Sequence, residues 1–355
     1  MLLSELDPIL NTICSTLSLD EQGSFVSNNP AHGEIIDAFN HQLSISPEES
    51  AAAFQLALYR DLIYAIFYLN RTDTGENYQK DAENRLETGA KSELFDQLHT
   101  HNTGLGYGDP GWRFLQVDEQ DQWGVNKNGL TLWIKPKKHL ILENGQEYRD
   151  DWGLVTEPNN LTIRLPKNQV EPGFYVAIAN AGPIQRQFGN DYLSITTLHF
   201  NFAMADAPRA IAFWTKALNA EDIQFSFKVG YDHGVYSRSD PGLLWIYTQD
   251  KSIWEAHLGH FLVEAESWLK PEVPMLTQKL GPGVGFSELP RYPFFALEDF
   301  HLNRCHLIAQ GLLNAWSAGK SSPSDCLASI EASFAEYGCN LSTPHLNSDS
   351  GRPSN

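Results

Sequence analysis

The segment FSFKVGYDHGVYSRSD, residues 225–240, places Lys228 at the end of a strand-like run and Arg238 in the turn beyond it, within a chain of 44 acidic and 25 basic residues. A lysine abstracts a proton only in its neutral form, which burial or nearby positive charge favours. An arginine offers a planar fork of donors that fits phosphate better than an ammonium does. Together they could form one wall of a pocket for a small anion. Each also has an ordinary reading: Lys228 as a solvated strand-end lysine, and Arg238 as a turn arginine paired with Asp240.

Strand alternation places a third group near them. In IQFSFKVG the apolar positions are Ile223, Phe225, Phe227 and Val229, so Gln224, Ser226 and Lys228 face the other way. In DYLSITTLHFNFA the heavy apolar face is Leu198, Phe200 and Phe202, which turns His199 and Asn201 off that face. The intervening residues 206–220 read as a helix long enough for a right-handed crossover between parallel neighbours. His199 and Lys228 would then project on one side of a sheet. His199 alone reads more simply as a histidine satisfied by a nearby carbonyl, and Arg304 as an arginine paired with Asp299 or Glu298.

Other chemistries find no support. GPGVGF (281–286) has the glycines of a phosphate loop without its lysine. HExxH is absent, and His257 and His260 share a helix without a matching carboxylate motif, so no metal site is expected. GxSxG is absent, and the Ser, His and Asp inventory alone identifies no triad.

The elements that must position these residues follow from periodicity. Ser46-Pro47-Glu48-Glu49 reads as a capping box, followed by Phe54, Leu58, Leu62, Ile66 and Leu69 at helical spacing. A polar connection over 70–110 is expected to hold a helix near 78–98. Short runs such as LTLWIKP, LTIRLP and GFYVAIA, separated by turn signals including Asn128-Gly129 and Asn144-Gly145, predict a largely antiparallel sheet across 111–180. Strands at LHFNFA, IQFSFKVG and LLWIYTQ follow. Helices are expected at about 250–270, 300–317 and 322–338, the last opened by Ser322-Pro323. The fold class is α+β: a helical N-terminal part on a mixed, largely antiparallel sheet, with long C-terminal helices. The expected divisions are a helical region 1–104, a main domain 105–340 and a disordered tail 341–355.

A net charge of −19 repels phosphate backbones, which argues against nucleic acid and anionic membranes as general partners. It leaves room for one phosphate held by local cations. Four cysteines without a CxxC pair and an N-terminus without a basic, apolar leader predict a cytoplasmic chain with reduced thiols. FQLALYRDLIYAIFYL is interrupted by Arg60 and Asp61 and is too short to span a bilayer.

The ordered blocks LTIRLPKNQVEPGFYVAIANAG, TLHFNFA, FKVGYDHGVYSRSDPGLLWIY, PMLTQKLGPGVGFSELP and FHLNRCHLIAQGL resemble the HopA-type lyases, relatives of a bacterial type III secretion effector. The resemblance covers roughly residues 105–317. It implies the lyase component of class V lanthipeptide and thioamitide biosynthesis. There a separate kinase phosphorylates Ser or Thr of a ribosomal precursor peptide, and the lyase eliminates phosphate to give dehydroalanine or dehydrobutyrine. A more distant likeness to the OspF/SpvC phosphothreonine lyases implies Lys228 as base, His199 as acid and arginines for the phosphate, for which Arg238 and Arg304 are the candidates, with Lys279, before LGPGVGF, as a third cation. Asn201 could take the place of His199, and Tyr236 is a further possible member. No metal or organic cofactor is implied. A phosphopeptide- or leader-binding partner without chemistry, and a phosphatase, are the alternative functions.

Overall fold

In a computed structural model, residues 8–45, 51–71, 93–141, 160–187, 193–291, 293–295 and 298–347 are described. The capping box at 46–49, the Asn144-Gly145 turn and most of the helix expected near 78–98 lie outside them.

The chain begins with α1 (Pro8–Thr16), a small antiparallel hairpin of β1 (Leu17–Leu19) and β2 (Phe25–Ser27), α2 (Gly33–Ser44) and α3 (Ala51–Ile63). A π-helical turn, Tyr64–Tyr68, extends α3. Such turns aim side chains away from the regular helical faces and recur at functional sites. After α4 (Glu93–His101) come β3 (Tyr107–Val117), β4 (Trp123–Lys127), β5 (Leu130–Ile134), the single turn α5 (Pro136–His139), β6 (Leu140–Ile141) and β7 (Leu161–Leu165). These strands form a five-stranded antiparallel sheet in the order β5-β4-β3-β7-β6. Asn128 and Gly129, with φ of 51° and 84°, make its expected tight turn.

The remaining strands build a second, seven-stranded sheet. They are β8 (Asn168–Glu171), β9 (Phe174–Ile178), β10 (Ile195–Phe200), β11 (Phe225–Gly230), β12 (Gly242–Tyr247), β13 (Gln278–Gly281) and β14 (Val284–Glu288). Their order is β13-β14-β10-β12-β11-β9-β8, with every neighbouring pair antiparallel. The strands expected over 111–180 are therefore divided between two sheets. The parallel-neighbour reading is also corrected: β10 and β11 run the same way, but β12 lies between them. The short return from β11 through residues 231–241 brings β12 back antiparallel against both, and each pairing satisfies backbone groups at little loop cost.

One face of this sheet carries Leu198, Phe200, Phe225, Phe227, Val229, Leu244, Ile246 and Phe286 against α6 (Ala207–Ala220) and α7 (Lys251–Glu264), which contribute Ile211, Trp214, Trp254 and Phe261 to the same core. A fully buried Phe or Ile contributes about 1.5–3 kcal/mol, which fixes which side of each strand faces inward. The opposite face meets the start of α8 (Phe300–Ser317), whose Phe300 and His301 rings lie 6.3 and 5.1 Å from that of His199. α8 packs with α9 (Pro323–Glu336), α1 and α3 in a second core. The helical layer over the polar face explains why groups pointing off the hydrophobic face are still buried.

Two glycines permit close approaches. Gly311 lets α8 meet α9, since a Cβ there would lie 2.5 Å from the Ile330 Cα. Gly283, at φ +63°, turns β13 into β14, and a Cβ there would lie 2.3 Å from the Lys270 carbonyl oxygen. The GPGVGF glycines thus serve a hairpin. Ser322 caps α9 by accepting from the Asp325 backbone N–H, as its sequence implies.

The tail expected at 341–355 is packed as far as residue 347. Leu341 is buried, His345 O accepts from the Glu288 N–H, and Asn347 donates to Leu289 O and to Glu288 Oε2. Its polarity serves backbone pairing with the end of β14, which a compositional reading cannot distinguish from solvation.

Candidate functional site

The pairing register puts Gly285, His199, Leu243, Lys228 and Val176 on one rung across β14, β10, β12, β11 and β9. Paired residues of antiparallel neighbours project from the same face. His199 and Lys228 therefore share a face, as the alternation predicts, at a separation of roughly 10 Å for two strand spacings.

Lys228 is held by a turn. Glu171-Pro172-Gly173-Phe174 joins β8 to β9 with Gly173 at φ 76°, fitting the Pro-Gly preference of a type II turn. Its two ends both reach the lysine: Nζ donates to Glu171 Oε2 at 2.6 Å and sits 4.2 Å from the centre of the Phe174 ring. The Arg238 guanidinium lies 5.8 Å from the same ring centre. The two cations singled out by sequence thus share one aromatic contact. Both side chains are partly exposed, at 19% and 13%.

Behind Arg238 the network becomes fully buried. Arg238 Nε donates to Asp240 Oδ1 at 3.0 Å, so the simple pairing of these neighbours is present. Arg238 also donates to the Tyr68 hydroxyl, which donates at 2.6 Å to Asp240 Oδ2. His199 Nδ1 contacts the same oxygen at 3.0 Å, and Nε2 lies 2.9 Å from Ser287 Oγ. An ionised Asp240 only accepts, which assigns a proton to Nδ1, while Nε2 faces the Ser287 hydroxyl. Tyr68 stacks on His301 with ring centres 3.9 Å apart. Burial by itself would raise the Asp240 carboxyl, but Arg238 and the two histidines outweigh it and hold it well below the usual carboxylate range. Burial, reinforced by His199, pushes His301 well below the usual histidine range.

This geometry bounds the chemistry. Ser287, His199 and Asp240 are bonded in the order of a hydrolytic triad, yet they are only 0%, 2% and 0% exposed. An acyl group has no access to that hydroxyl without displacing the helical layer. His199, Asp240 and His301 also bring ligand-type atoms within 4.8 Å of one another, where the sequence suggests no metal site. A cation there would have to displace donors from Asp240 and sit beside the Arg238 guanidinium. The arrangement instead suits a charge pair fixed from behind, with Lys228 and Arg238 at its open edge.

The other sequence candidates lie apart from this edge. Lys279 is on the same rung, but on edge strand β13, roughly 20 Å from Lys228 by strand spacing, and it donates to Pro271 O at 2.9 Å. Arg304 is buried and bonds to Pro344 O and Leu346 O, and to Asn303 Oδ1 rather than to Asp299 or Glu298. Asn201 is buried and donates to Glu272 O, with its backbone fixed against Gly283 and Lys270. The Tyr236 hydroxyl donates to Gly230 O. Of the histidine pair on α7, His257 contacts Glu221 at 3.1 Å.

Sequence reading missed Glu171, Phe174, Tyr68, Ser287 and His301. The Glu-Pro-Gly-Phe turn was a usable signal for the first two. Nothing local marks Tyr68, which meets Asp240 across 172 positions of chain.

The fold and site define an α+β protein whose antiparallel sheet carries an acid–base network beneath a helical layer. The HopA1 effector protein family model matches residues 165–346, more than half of the chain, and the chain belongs to that family. Two solved structures are similar, each covering 89% of this chain and 98% of its own with a TM-score of 0.43. One is the effector protein from Pseudomonas syringae pv. tomato strain DC3000, at 15% identity, and the other the effector protein from Pseudomonas syringae pv. syringae strain 61, at 14%. No curated protein matches. Among the described residues, no helix is long and apolar enough to cross a membrane.

Proposed function

We propose that the protein is a phosphoserine/phosphothreonine lyase acting on a ribosomal precursor peptide that a separate kinase has phosphorylated. The observation that supports this reading is the shared placement of Lys228 and Arg238 over Phe174, a base-type and a phosphate-binding cation at one partly open edge. In the proposed reaction Glu171, 45% exposed, swings into water as the phosphate arrives. Neutral Lys228 takes the α-proton, the electron pair of the Cα–H bond becomes the Cα=Cβ bond, and the Cβ–O bond breaks. Arg238 neutralises the departing phosphate.

His199 enters this scheme differently from the expected acid. With both ring nitrogens engaged and 2% exposure, it orients Asp240, and Asp240 orients Arg238. It is a positioning residue.

A non-catalytic, phosphopeptide-binding reading draws on one feature: the 2.6 Å pair between Lys228 and Glu171, which occupies the amine that a base would need free. Product identity separates the alternatives. Mass spectrometry of a phosphoserine peptide incubated with the protein is expected to find dehydroalanine. Recovery of serine would indicate a phosphatase, and an intact phosphopeptide that stays bound would indicate a binder. Either outcome overturns the lyase reading.

A further inference from the structure

Among the described residues, Arg304 is a buried cation without a carboxylate partner. Its side chain is 1% exposed. Nε donates to Pro344 O at 2.7 Å, Nη1 to Asn303 Oδ1 at 2.5 Å and Nη2 to Leu346 O at 3.0 Å, all neutral acceptors. A guanidinium carries five N–H donors, so part of the fork is left over. Among the described residues it forms no ion pair. Glu288 and Glu298 are the carboxylates whose charge reaches it, but both are engaged elsewhere. Glu288 Oε2 accepts from the Asn347 N–H, and Glu298 Oε2 from the Phe294 N–H and from Asn303 Nδ2. Burial raises both carboxyls toward their neutral forms and pulls the Arg304 guanidinium below its ordinary value. An uncompensated buried charge is costly, and a fold tolerates it best where a ligand supplies the missing counter-charge.

A cavity lies against this group. It has a volume of 390 Å³ and is lined by Arg304, Arg291, Phe294, Tyr337 and Cys339, with Glu336 exposed at its edge. It is bounded by α8, the end of α9 and residue 347 of the C-terminal segment, and it shares no residue with the Lys228–Arg238 group. Phe294 and Tyr337 meet edge-to-face at 4.9 Å, an apolar wall beside a cationic floor. That combination, at the small end of the usual range of ligand cavities, fits a metabolite-sized anion.

We propose that this cavity is a second ligand site, which takes a small molecule bearing a carboxylate or phosphate on the Arg304 fork. Both groups present two oxygens at the spacing of the guanidinium donors. The ligand would also brace residues 344–346, whose carbonyls share the same side chain.

Cys339 provides a local reporter, because it is partly exposed while Cys14, Cys305 and Cys326 are buried. The test follows iodoacetamide alkylation of Cys339 in the full chain, by peptide mass spectrometry, in inorganic phosphate, acetate or chloride at matched ionic strength and pH. Phosphate, acetate or both are expected to slow the reaction relative to chloride, by about tenfold at ten times the Kd, since protection scales as 1 + [L]/Kd. Protection by only one of the two anions assigns that chemistry. The protection should persist in Lys228→Ala and fall in Arg304→Lys, which keeps the charge without the fork. Equal rates in all three salts would overturn the proposal. So would protection that disappears in Lys228→Ala, because the anion would then act through the other site. None of these outcomes depends on whether the protein eliminates phosphate.

Discussion

His199 and Lys228 are both paired with Leu243, from its two sides. β12 therefore separates them while leaving them on one face. This single relationship sets their surroundings. Lys228 reaches the partly open edge beside Phe174 and Arg238, whereas His199, two strands further in, is covered by α8 and bonds Asp240.

Lys228→Ala is expected to lower elimination from a phosphoserine peptide by at least about a hundredfold, the usual lower bound for losing a positioned base. Its stability cost should stay near about 1 kcal/mol, since the pair with Glu171 is partly exposed. Turnover by mass spectrometry and urea unfolding measure the two halves. Near-normal turnover removes Lys228 from the mechanism.

Glu171→Gln removes the carboxylate bonded to Lys228, which on the lyase reading is the competitor of substrate phosphate. Phosphopeptide binding, followed by calorimetry, should tighten. Weaker binding would mean that the Glu-Pro-Gly-Phe turn itself contributes contacts through the carboxylate.

Asp240→Asn leaves Arg238 without its buried partner and should cost about 3–5 kcal/mol, as breaking a buried pair does. The pH dependence has a definite sign. The folded-state value of Asp240 is depressed, so its contribution is complete above the unfolded value of about 3.9 and is lost as pH falls through the folded one. Below about pH 4, wild-type stability should fall more steeply with acid than that of Asp240→Asn. Parallel slopes would show that Asp240 does not carry this term.

His306, stacked on Phe294 at 3.7 Å, is pushed by burial and then by Arg60 down to about 4. A histidine kept neutral in the fold takes up its proton first in the unfolded chain. The stability it contributes is present above about pH 6.5 and declines from there to about pH 4. In His306→Phe this decline should be reduced over the same window, read from urea midpoints against pH. An unchanged profile would point to the other buried histidines.

Gly283→Ala places a Cβ 2.3 Å from the Lys270 carbonyl at φ +63°. It should cost at least about 1–2 kcal/mol from the left-handed backbone alone, with the clash in addition. Thermal unfolding checks this, and a wild-type midpoint would mean that the β13–β14 turn relaxes around the methyl group.

Local pattern was enough to orient the strands. The alternation in IQFSFKVG and LHFNFA determined that Lys228 and His199 leave the hydrophobic face, because burying the phenylalanines on the other face outweighs any preference of the polar side chains. The nearness of Arg238 to Asp240 was equally legible, since two positions of chain separate them, and Ser322-Pro323 marked the start of α9. Tertiary structure decided what covers that polar face, and so which group stays accessible. The Tyr68 hydroxyl reaches Asp240 only because a π-helical turn at the end of α3 faces the sheet, a contact between segments with no shared periodicity. β12 lies between β10 and β11 because strand order is set by which edges pair, and alternation says nothing about edges. Arg304 turned toward residues 344–346, not toward Lys228, because it donates to two carbonyls of a C-terminal segment whose composition suggests only solvation.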